Sequence, residues 1–351
     1  MLKEIVNKKI NPRSELIYLM RGFFSLPVII SLSQNNVLKK ILTSQVNAEK
    51  FKKIKNKNFL NSMFNYLANL GILKKKISKG KVNFNVTILG KKILNRIGSF
   101  HLLNSYSPFI SNINKILDQK SKTNIGCDRE ENVLGSGLTN GRKFFPKSFE
   151  FFKRDEFDII ADIGCGDGEY LSRSINYFSK ADFFASDISQ KALTECKKKL
   201  KTKTKRISFF RSDAYNVKKW SKILNKLTLN NKKRILITMW YVVHEISEND
   251  KHKIINFFKD IKKNCPNANI LIGEIVNIDN LTLSKNRDIS ILPEFLFFHE
   301  ISGQGVLKIN DFNYIKRKIP YNLTNSYEFD HVKNKNKKIP SAIIWHLSPK
   351  K

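Results

Sequence analysis

The most restrictive feature of this 351-residue chain is an apolar run that leads into alternate glycines and then into a helical pattern. Residues 159–163 have the composition of a buried strand, and Gly164, Gly166 and Gly168 follow at every second position. Glycine lets a backbone turn tightly and approach a ligand closely. A helix that begins at such a turn directs unpaired N–H groups toward the ligand. The segment therefore predicts a turn that binds a nucleotide or nucleoside.

The spacing of these glycines narrows the choice of ligand. The dinucleotide fingerprint has two residues between its second and third glycines, and the P-loop ends in Gly-Lys-Ser/Thr. Residues 162–168 fit neither pattern, and their Asp-x-Gly-x-Gly-x-Gly order resembles motif I of class I S-adenosylmethionine (SAM) methyltransferases. Taken alone, the turn is also compatible with an ordinary bend between a strand and a helix.

Acidic residues at the ends of successive predicted strands support the resemblance. Asp187 ends the second strand, residues 182–187, and Asp213 lies in the third, residues 207–214. A carboxylate at the tip of a second strand accepts hydrogen bonds from ribose hydroxyls, and the family places an acid near the adenine amino group after the third. Strands are also predicted at residues 234–240 and 269–276. The resemblance implies a SAM site of Asp162, Gly164, Gly166, Gly168, Asp187, Ile188, Asp213, Ala214 and Met239.

A different pattern occupies residues 1–120. Helical spacing over residues 59–70 is followed by Gly71 as a C-cap, a predicted hairpin and Thr87 as the cap of a further helix. This order is typical of a winged helix. Residues 64–73 and 85–90 resemble the dimerisation domain of small-molecule O-methyltransferases of the caffeate and hydroxyindole type. The resemblance implies a homodimer formed through this domain.

These patterns predict an α/β fold: a Rossmann-like, seven-stranded SAM methyltransferase domain over residues 151–351, preceded by a mainly helical winged-helix domain. Residues 121–150 are predicted to be a connector, because 132–141 are rich in Gly, Ser, Thr and Asn. The family resemblance implies that this connector runs past the active site and forms part of a lid, and a plain surface linker is the alternative.

The composition argues against a secreted or membrane-spanning protein and leaves a DNA-binding role open. Four scattered cysteines and no recognisable secretory signal favour a cytoplasmic protein, and no apolar run is expected to span a membrane. The net charge of +34 is mostly lysine spread along the whole chain, which genome bias explains without a specific nucleic-acid partner. A DNA-binding regulator with a SAM-sensing domain is the alternative from another class.

Two histidines are the candidates for chemistry on a small-molecule substrate. His244 lies in a segment that resembles the general-base region of the O-methyltransferases, and histidine titrates near neutral pH. A structural role at a helix start is the alternative. The aromatic segment 292–305 contains His299, and together the two histidines resemble the α-keto acid C-methyltransferases.

That second resemblance implies C-methylation at the β-carbon of a 2-oxo acid, which is the favoured reaction. Some members hold a metal ion with two such histidines, so a divalent or ferric ion, Fe or Zn, bound by His244 and His299 is an additional expectation. A metal stabilises an enolate as a Lewis acid, and imidazole suits these metals. O-methylation of a hydroxylated aromatic, with His244 as the base, is the alternative.

Overall fold

The computed structural model describes residues 11–78, 80–118, 126–227, 233–247, 250–286, 292–302, 304–334 and 337–350. The chain divides into two compact units, Met1–Ser105 and Tyr106–Lys351. The finer division into residues 1–120, 121–150 and 151–351 stays a prediction.

The first unit has the predicted order of helices followed by a hairpin and a helix. An antiparallel hairpin follows the third helix, and the Oγ1 atom of Thr87 accepts a 2.9 Å hydrogen bond from the N–H of Gly90, capping the fourth. Gly71 has φ +72° where the third helix ends, as expected for a helix-ending glycine. The elements are α1 Pro12–Gln34, α2 Val37–Thr43, a 3₁₀ turn Ala48–Lys50, α3 Lys57–Asn69, β1 Leu73–Ser78, β2 Lys81–Val86, α4 Ile88–Leu94 and α5 Ile97–Asn104.

Helix α1 is partly packed into this unit and partly exposed. Ile29, Ile30 and Leu32 are buried in its last turns, whereas Leu19 and Phe23 are about three-quarters exposed. By length and composition alone α1 is apolar enough to cross a membrane, which the sequence expectation overlooked. Core helices of soluble proteins pass the same test of length and composition.

The second unit alternates strands and helices as predicted. Its first five strands end within a few residues of the predicted positions. The helices are α6 Ser107–Ile110, α7 Ile113–Leu117, α8 Arg129–Phe149, α9 Glu169–Tyr177, α10 Gln190–Leu200, α11 Val217–Leu227, α12 Val243–Ser247, α13 Lys251–Asn264, α14 Asn280–Ser284, α15 Leu292–Ser302 and α16 Ile309–Lys318. The strands are β3 Ile159–Ile163, β4 Asp182–Asp187, β5 Ile207–Arg211, β6 Ile235–Trp240, β7 Asn269–Ile275, β8 Tyr321–Phe329, β9 Val332–Asn334, β10 Lys337–Ile339 and β11 Ala342–Pro349.

Seven of these strands form one mixed sheet in the order β5-β4-β3-β6-β7-β11-β8. Strands β3 to β7 pair in parallel, and β11 is antiparallel to both β7 and β8. Every residue of β3 and β6 is buried, as expected for central strands covered by helices on both faces. The chain crosses from one side of β3 to the other between β5 and β6, and ligands bind at the carboxyl ends of strands at such a switch point. The predicted fold class is confirmed.

Candidate active site

The glycine turn lies at the carboxyl end of β3, at the switch point of the sheet. All three glycines have positive φ, between 54° and 78°, which side-chain-bearing residues rarely adopt. A Cβ built on Gly164 would lie 2.5 Å from Cγ2 of Val242, and one on Gly166 would lie 3.0 Å from Cγ1 of Val133. Both the backbone conformation and the neighbouring side chains therefore require glycine at these two positions.

A cavity of about 510 Å³ opens beside this turn, within the usual range for small-molecule sites. Helix α8 forms one wall, and the carboxyl ends of β3, β4, β5 and β6 form the opposite wall. Seven of the nine residues predicted to contact SAM line it: Asp162, Gly164, Gly166, Asp187, Ile188, Asp213 and Ala214. Gly168 instead precedes α9, and Met239 is fully buried in the core.

Asp187 links the glycine turn to the end of β4. Its Oδ2 atom accepts a 2.9 Å hydrogen bond from the N–H of Gly166, and its Oδ1 atom accepts a 2.8 Å hydrogen bond from the backbone N–H of Ser189. Burial raises the pKa of Asp187, although these two N–H groups act in the opposite direction. The carboxylate is therefore fixed in position at the place where ribose hydroxyls are expected.

Asp162 is the most deeply buried acid of the cavity wall. Its Oδ1 atom accepts a 2.6 Å hydrogen bond from the hydroxyl of Thr238, which lies on the neighbouring strand. Burial raises the pKa of Asp162 to about 7, and the nearby charge of Asp187 acts in the same direction. This carboxyl is poised to ionise when a cation binds next to it.

The cavity is acidic although the whole chain is strongly basic. Arg129 is the one cationic side chain among the lining residues of the described chain. The sulfonium and ammonium groups of SAM are cations, so the field of this cavity favours SAM and opposes polyanions. The lining carboxyl groups are those of Asp162, Asp167, Glu169, Asp187, Asp213 and Glu245.

His244 lies in α12, between two cavity-lining residues, Val242 and Glu245. Its Nδ1 atom is 2.9 Å from Oε2 of Glu274, while Oε1 of Glu274 accepts a 2.6 Å hydrogen bond from the N–H of Val243. Burial alone would lower the pKa of His244, but the charge and hydrogen bond of Glu274 outweigh it, so the pKa is raised. Both side chains are almost completely buried.

The sequence reasoning missed Glu274. It is a single acid within the apolar run of β7 and is fully buried, which is rare for an unpaired carboxylate. An isolated acid in a strand that ends at the ligand edge of the sheet was the available signal.

The structure brings His299 next to His244, as the second resemblance implied. Their ring centroids are 5.1 Å apart, and His299 stacks on Phe295 at 3.7 Å. Nδ1 of His299 lies 2.6 Å from the carbonyl oxygen of Phe295, so this nitrogen carries the hydrogen. Burial lowers the pKa of His299 to about 3, and the neighbouring His244 contributes to the shift. His299 is therefore neutral at physiological pH, whereas His244 is the member of the pair that takes up a proton.

Aromatic side chains continue from His299 along α15. The ring centroid of Phe298 lies 5.3 Å from that of His299, and Phe298 stacks on Tyr106 with the centroids 4.3 Å apart. Phe109 contacts Phe298 at 5.6 Å. This aromatic cluster lies beside the two histidines and suits a flat, apolar acceptor molecule.

The expected metal ion finds little support in these residues. Among the described parts of the chain, no three His, Cys, Asp or Glu side chains are grouped so that they could hold one. The Nδ1 atoms of His244 and His299 are engaged by Glu274 and by the carbonyl of Phe295, so a metal bound by this pair would have to use their Nε2 atoms. Two imidazoles without a third ligand do not make a metal site.

Two family models match the chain. Residues 160–263 match the methyltransferase domain family, and residues 21–120 match the AprA winged helix domain. A search of curated proteins by sequence finds no match.

Solved structures resemble nearly the whole chain. Human N-acetylserotonin methyltransferase in complex with SAM is 11% identical, with a TM-score of 0.64 over 99% of this chain and 100% of that one. The mitomycin 7-O-methyltransferase MmcR is 10% identical, with a TM-score of 0.62 over 96% and 97% of the two chains. An O-methyltransferase family protein from Burkholderia thailandensis is 11% identical, with a TM-score of 0.63 over 97% and 99%. At such identities the likeness shows the fold.

Proposed function

Because the chain is a class I SAM-dependent methyltransferase with an N-terminal winged-helix domain, we propose that it methylates a hydroxyl group of a small aromatic molecule. The observation that carries the proposal is the buried His244–Glu274 pair beside the acidic cavity. Such a pair is the arrangement required of a general base whose tautomer is fixed by a carboxylate.

SAM fits the cavity by size and charge. Asp187 is placed to accept hydrogen bonds from the ribose, and Asp213 lies at the next strand end, where the adenine amino group is expected. Asp162 supplies a carboxylate for the positively charged methionine end. When bound, SAM would supply an electrophilic methyl group, and His244 lies between the cavity-lining residues Val242 and Glu245.

His244 would remove the acceptor's proton. Glu274 takes the hydrogen bond of Nδ1–H, so Nε2 is the nitrogen that receives the proton from the O–H group. The oxygen keeps the electron pair and becomes the nucleophile for the methyl group. The imidazolium formed on His244 is stabilised by Glu274, which lies within 2.9 Å.

The 2-oxo acid reaction favoured by the sequence is the second candidate. The closeness of His244 and His299 favours it. The enolate of a 2-oxo acid, however, was expected to be stabilised by a bound metal ion, and these two residues alone do not form a metal site. O-methylation needs only the base and the aromatic surroundings that are present, so it fits better.

Product analysis separates the two reactions. Purified protein is incubated with SAM carrying a ¹³C methyl group and with a panel of phenols and 2-oxo acids. A ¹³C signal at the chemical shift of an aryl methyl ether supports the proposal. Label found only on the β-carbon of a 2-oxo acid would replace it with C-methylation.

We also infer that a second copy of the chain covers the exposed part of α1. More than half exposed are Tyr18, Leu19, Met20, Phe23 and Phe24, and the turn of about 100° per residue places Tyr18, Leu19 and Met20 on different sides of this helix. A helix that is apolar all round normally requires burial. An intertwined dimer buries every side of such a helix. We expect the protein to be cytoplasmic.

The winged-helix match leaves DNA binding as a separate hypothesis. Given the net charge of +34, a DNA shift assay is expected to show weak, strongly salt-sensitive binding. Tight sequence-specific binding would add a regulatory function to the enzymatic one.

A further inference from the structure

Helix α8 covers the proposed SAM cavity, and its two ends are held in different ways. Its C-terminal half is anchored by aromatic packing: the ring centroid of Phe145 lies 5.1 Å from that of Tyr170 and 4.7 Å from that of Trp240, and Phe149 stacks on Tyr170. Its first six residues, 129–134, contain no fully buried side chain. The anchoring of α8 therefore weakens toward its beginning.

Two ion pairs hold the first turn of α8 to opposite sides of the cavity. Nη1 of Arg129 lies 3.3 Å from Oε1 of Glu245, which follows β6. Glu130 pairs with Lys191, which follows β4. Because β4 and β6 flank β3 in the sheet, the two pairs fasten the helix across the mouth of the switch-point crevice.

The middle of α8 has little intrinsic tendency to be helical. Residues 135–141 read Gly-Ser-Gly-Leu-Thr-Asn-Gly, and each glycine costs about 1 kcal/mol relative to alanine in a helix. The segment is helical because it packs closely on the glycine turn: a Cβ on Gly137 would lie 3.2 Å from Cβ of Glu169. Because its own tendency to be helical is low, bending α8 in this segment loses the least helix-forming free energy.

We propose that residues 129–134 form a lid over the SAM cavity, hinged at residues 135–141 and latched by the Arg129–Glu245 and Glu130–Lys191 pairs. The lid limits the rates at which SAM enters and S-adenosylhomocysteine leaves. The proposal rests on SAM being the ligand of this cavity. Opening the latch leaves the aromatic anchor and the glycine turn in place, so the cofactor still binds but exchanges faster.

Lys191→Met tests the lid without altering a residue that lines the cavity. Binding and release are followed by stopped-flow fluorescence, because Trp240 lines the cavity. Both the association and the dissociation rate of each ligand should rise about 2- to 5-fold, the range that an exposed ion pair supplies, with a smaller change in Kd. The charge swap Glu130→Lys with Lys191→Glu should restore the original rates.

Lys198→Met is the matched control, because it removes an exposed ion pair with Glu195 from the same helix, away from α8. It should leave both rates unchanged. Unchanged rates in Lys191→Met, or a rise in dissociation alone, would overturn the lid while leaving SAM binding intact. If the unaltered protein fails to bind SAM, the proposed function falls together with the lid.

Discussion

Replacing Glu274 by glutamine is expected to impair the proposed base more than any other isosteric change. Glutamine has one acceptor oxygen, whereas Glu274 uses one oxygen for Val243 and the other for His244. One of these two buried donors must lose its acceptor in the variant, and the negative charge is lost as well.

The size of the effect follows from the geometry. Two unit charges about 4 Å apart interact by about 4 kcal/mol at an effective dielectric constant of 20. If the imidazolium of His244 loses that stabilisation in the transition state, kcat falls by about a thousandfold, which lies within the usual contribution of a general base. SAM binding should be preserved, because Glu274 does not line the cavity.

The pH dependence gives an independent test. The proposed base must be neutral, and Glu274 raises the pKa of His244, so activity should increase with pH through a value above 6.5. Without Glu274, burial dominates and lowers the pKa, so the rising limb should move to lower pH. The assay is the initial rate of S-adenosylhomocysteine formation between pH 5 and 9, together with NMR titration of the histidine Cε1–H signals.

Glu328→Gln is the matched control, since Glu328 lies 2.9 Å from His331 in an exposed pair on the surface. It should change neither the rate nor the pH profile. The role of Glu274 would be refuted if a folded Glu274→Gln protein lost less than threefold in kcat and the rising limb of its pH–rate profile stayed at the same pH.

Three further changes test other parts of the site and of the assembly. Asp162→Asn should weaken SAM binding in calorimetry, and equal SAM affinity would contradict this. The same change should raise the unfolding free energy above pH 7, because it removes a buried carboxylate whose pKa is about 7. Since the pKa of His299 is lowered to about 3, the folded state loses up to about 1.4 kcal/mol per pH unit as pH falls below 6.5. His299→Gln should flatten this part of the urea-unfolding profile, and an unchanged slope would exclude His299 as its source. Phe23→Lys should convert a dimer into a monomer in light scattering, whereas Leu281→Lys, at an exposed position in the second unit, should not; a monomeric parent protein would contradict the dimer.

The SAM-binding strands were predictable because their signals are local. The run before Gly164 is apolar throughout, the glycines must adopt positive φ, and Asp187 and Asp213 lie at strand ends. Each of these features is fixed by backbone conformation or by burial within a few residues. The seven-stranded, Rossmann-like fold then follows from the family resemblance.

Helix α8 was not predictable from its own residues. The sequence of 135–141 has the composition of a turn, and the connector prediction followed from it. Long-range packing of Phe144 and Phe145 into the core and the close fit of Gly137 at the glycine turn override that local preference. Such contacts connect segments far apart in the chain.

The histidine pair was predictable only through family resemblance, since 55 residues separate His244 from His299. The role of Glu274 required the structure, because pairing between β6 and β7 places it beside the start of α12. A single acid in an apolar strand does not reveal its partner from sequence.

Calorimetric titration with SAM tests the central claim most directly. The unaltered protein should bind SAM, and Asp187→Asn should bind it about 10- to 100-fold more weakly, because a carboxylate hydrogen bond contributes about 1.5–3 kcal/mol. Asp182→Asn, at the opposite end of the same strand and paired with Lys233, should bind SAM like the unaltered protein. Equal affinity of Asp187→Asn and the unaltered protein would contradict the placement of SAM in this cavity.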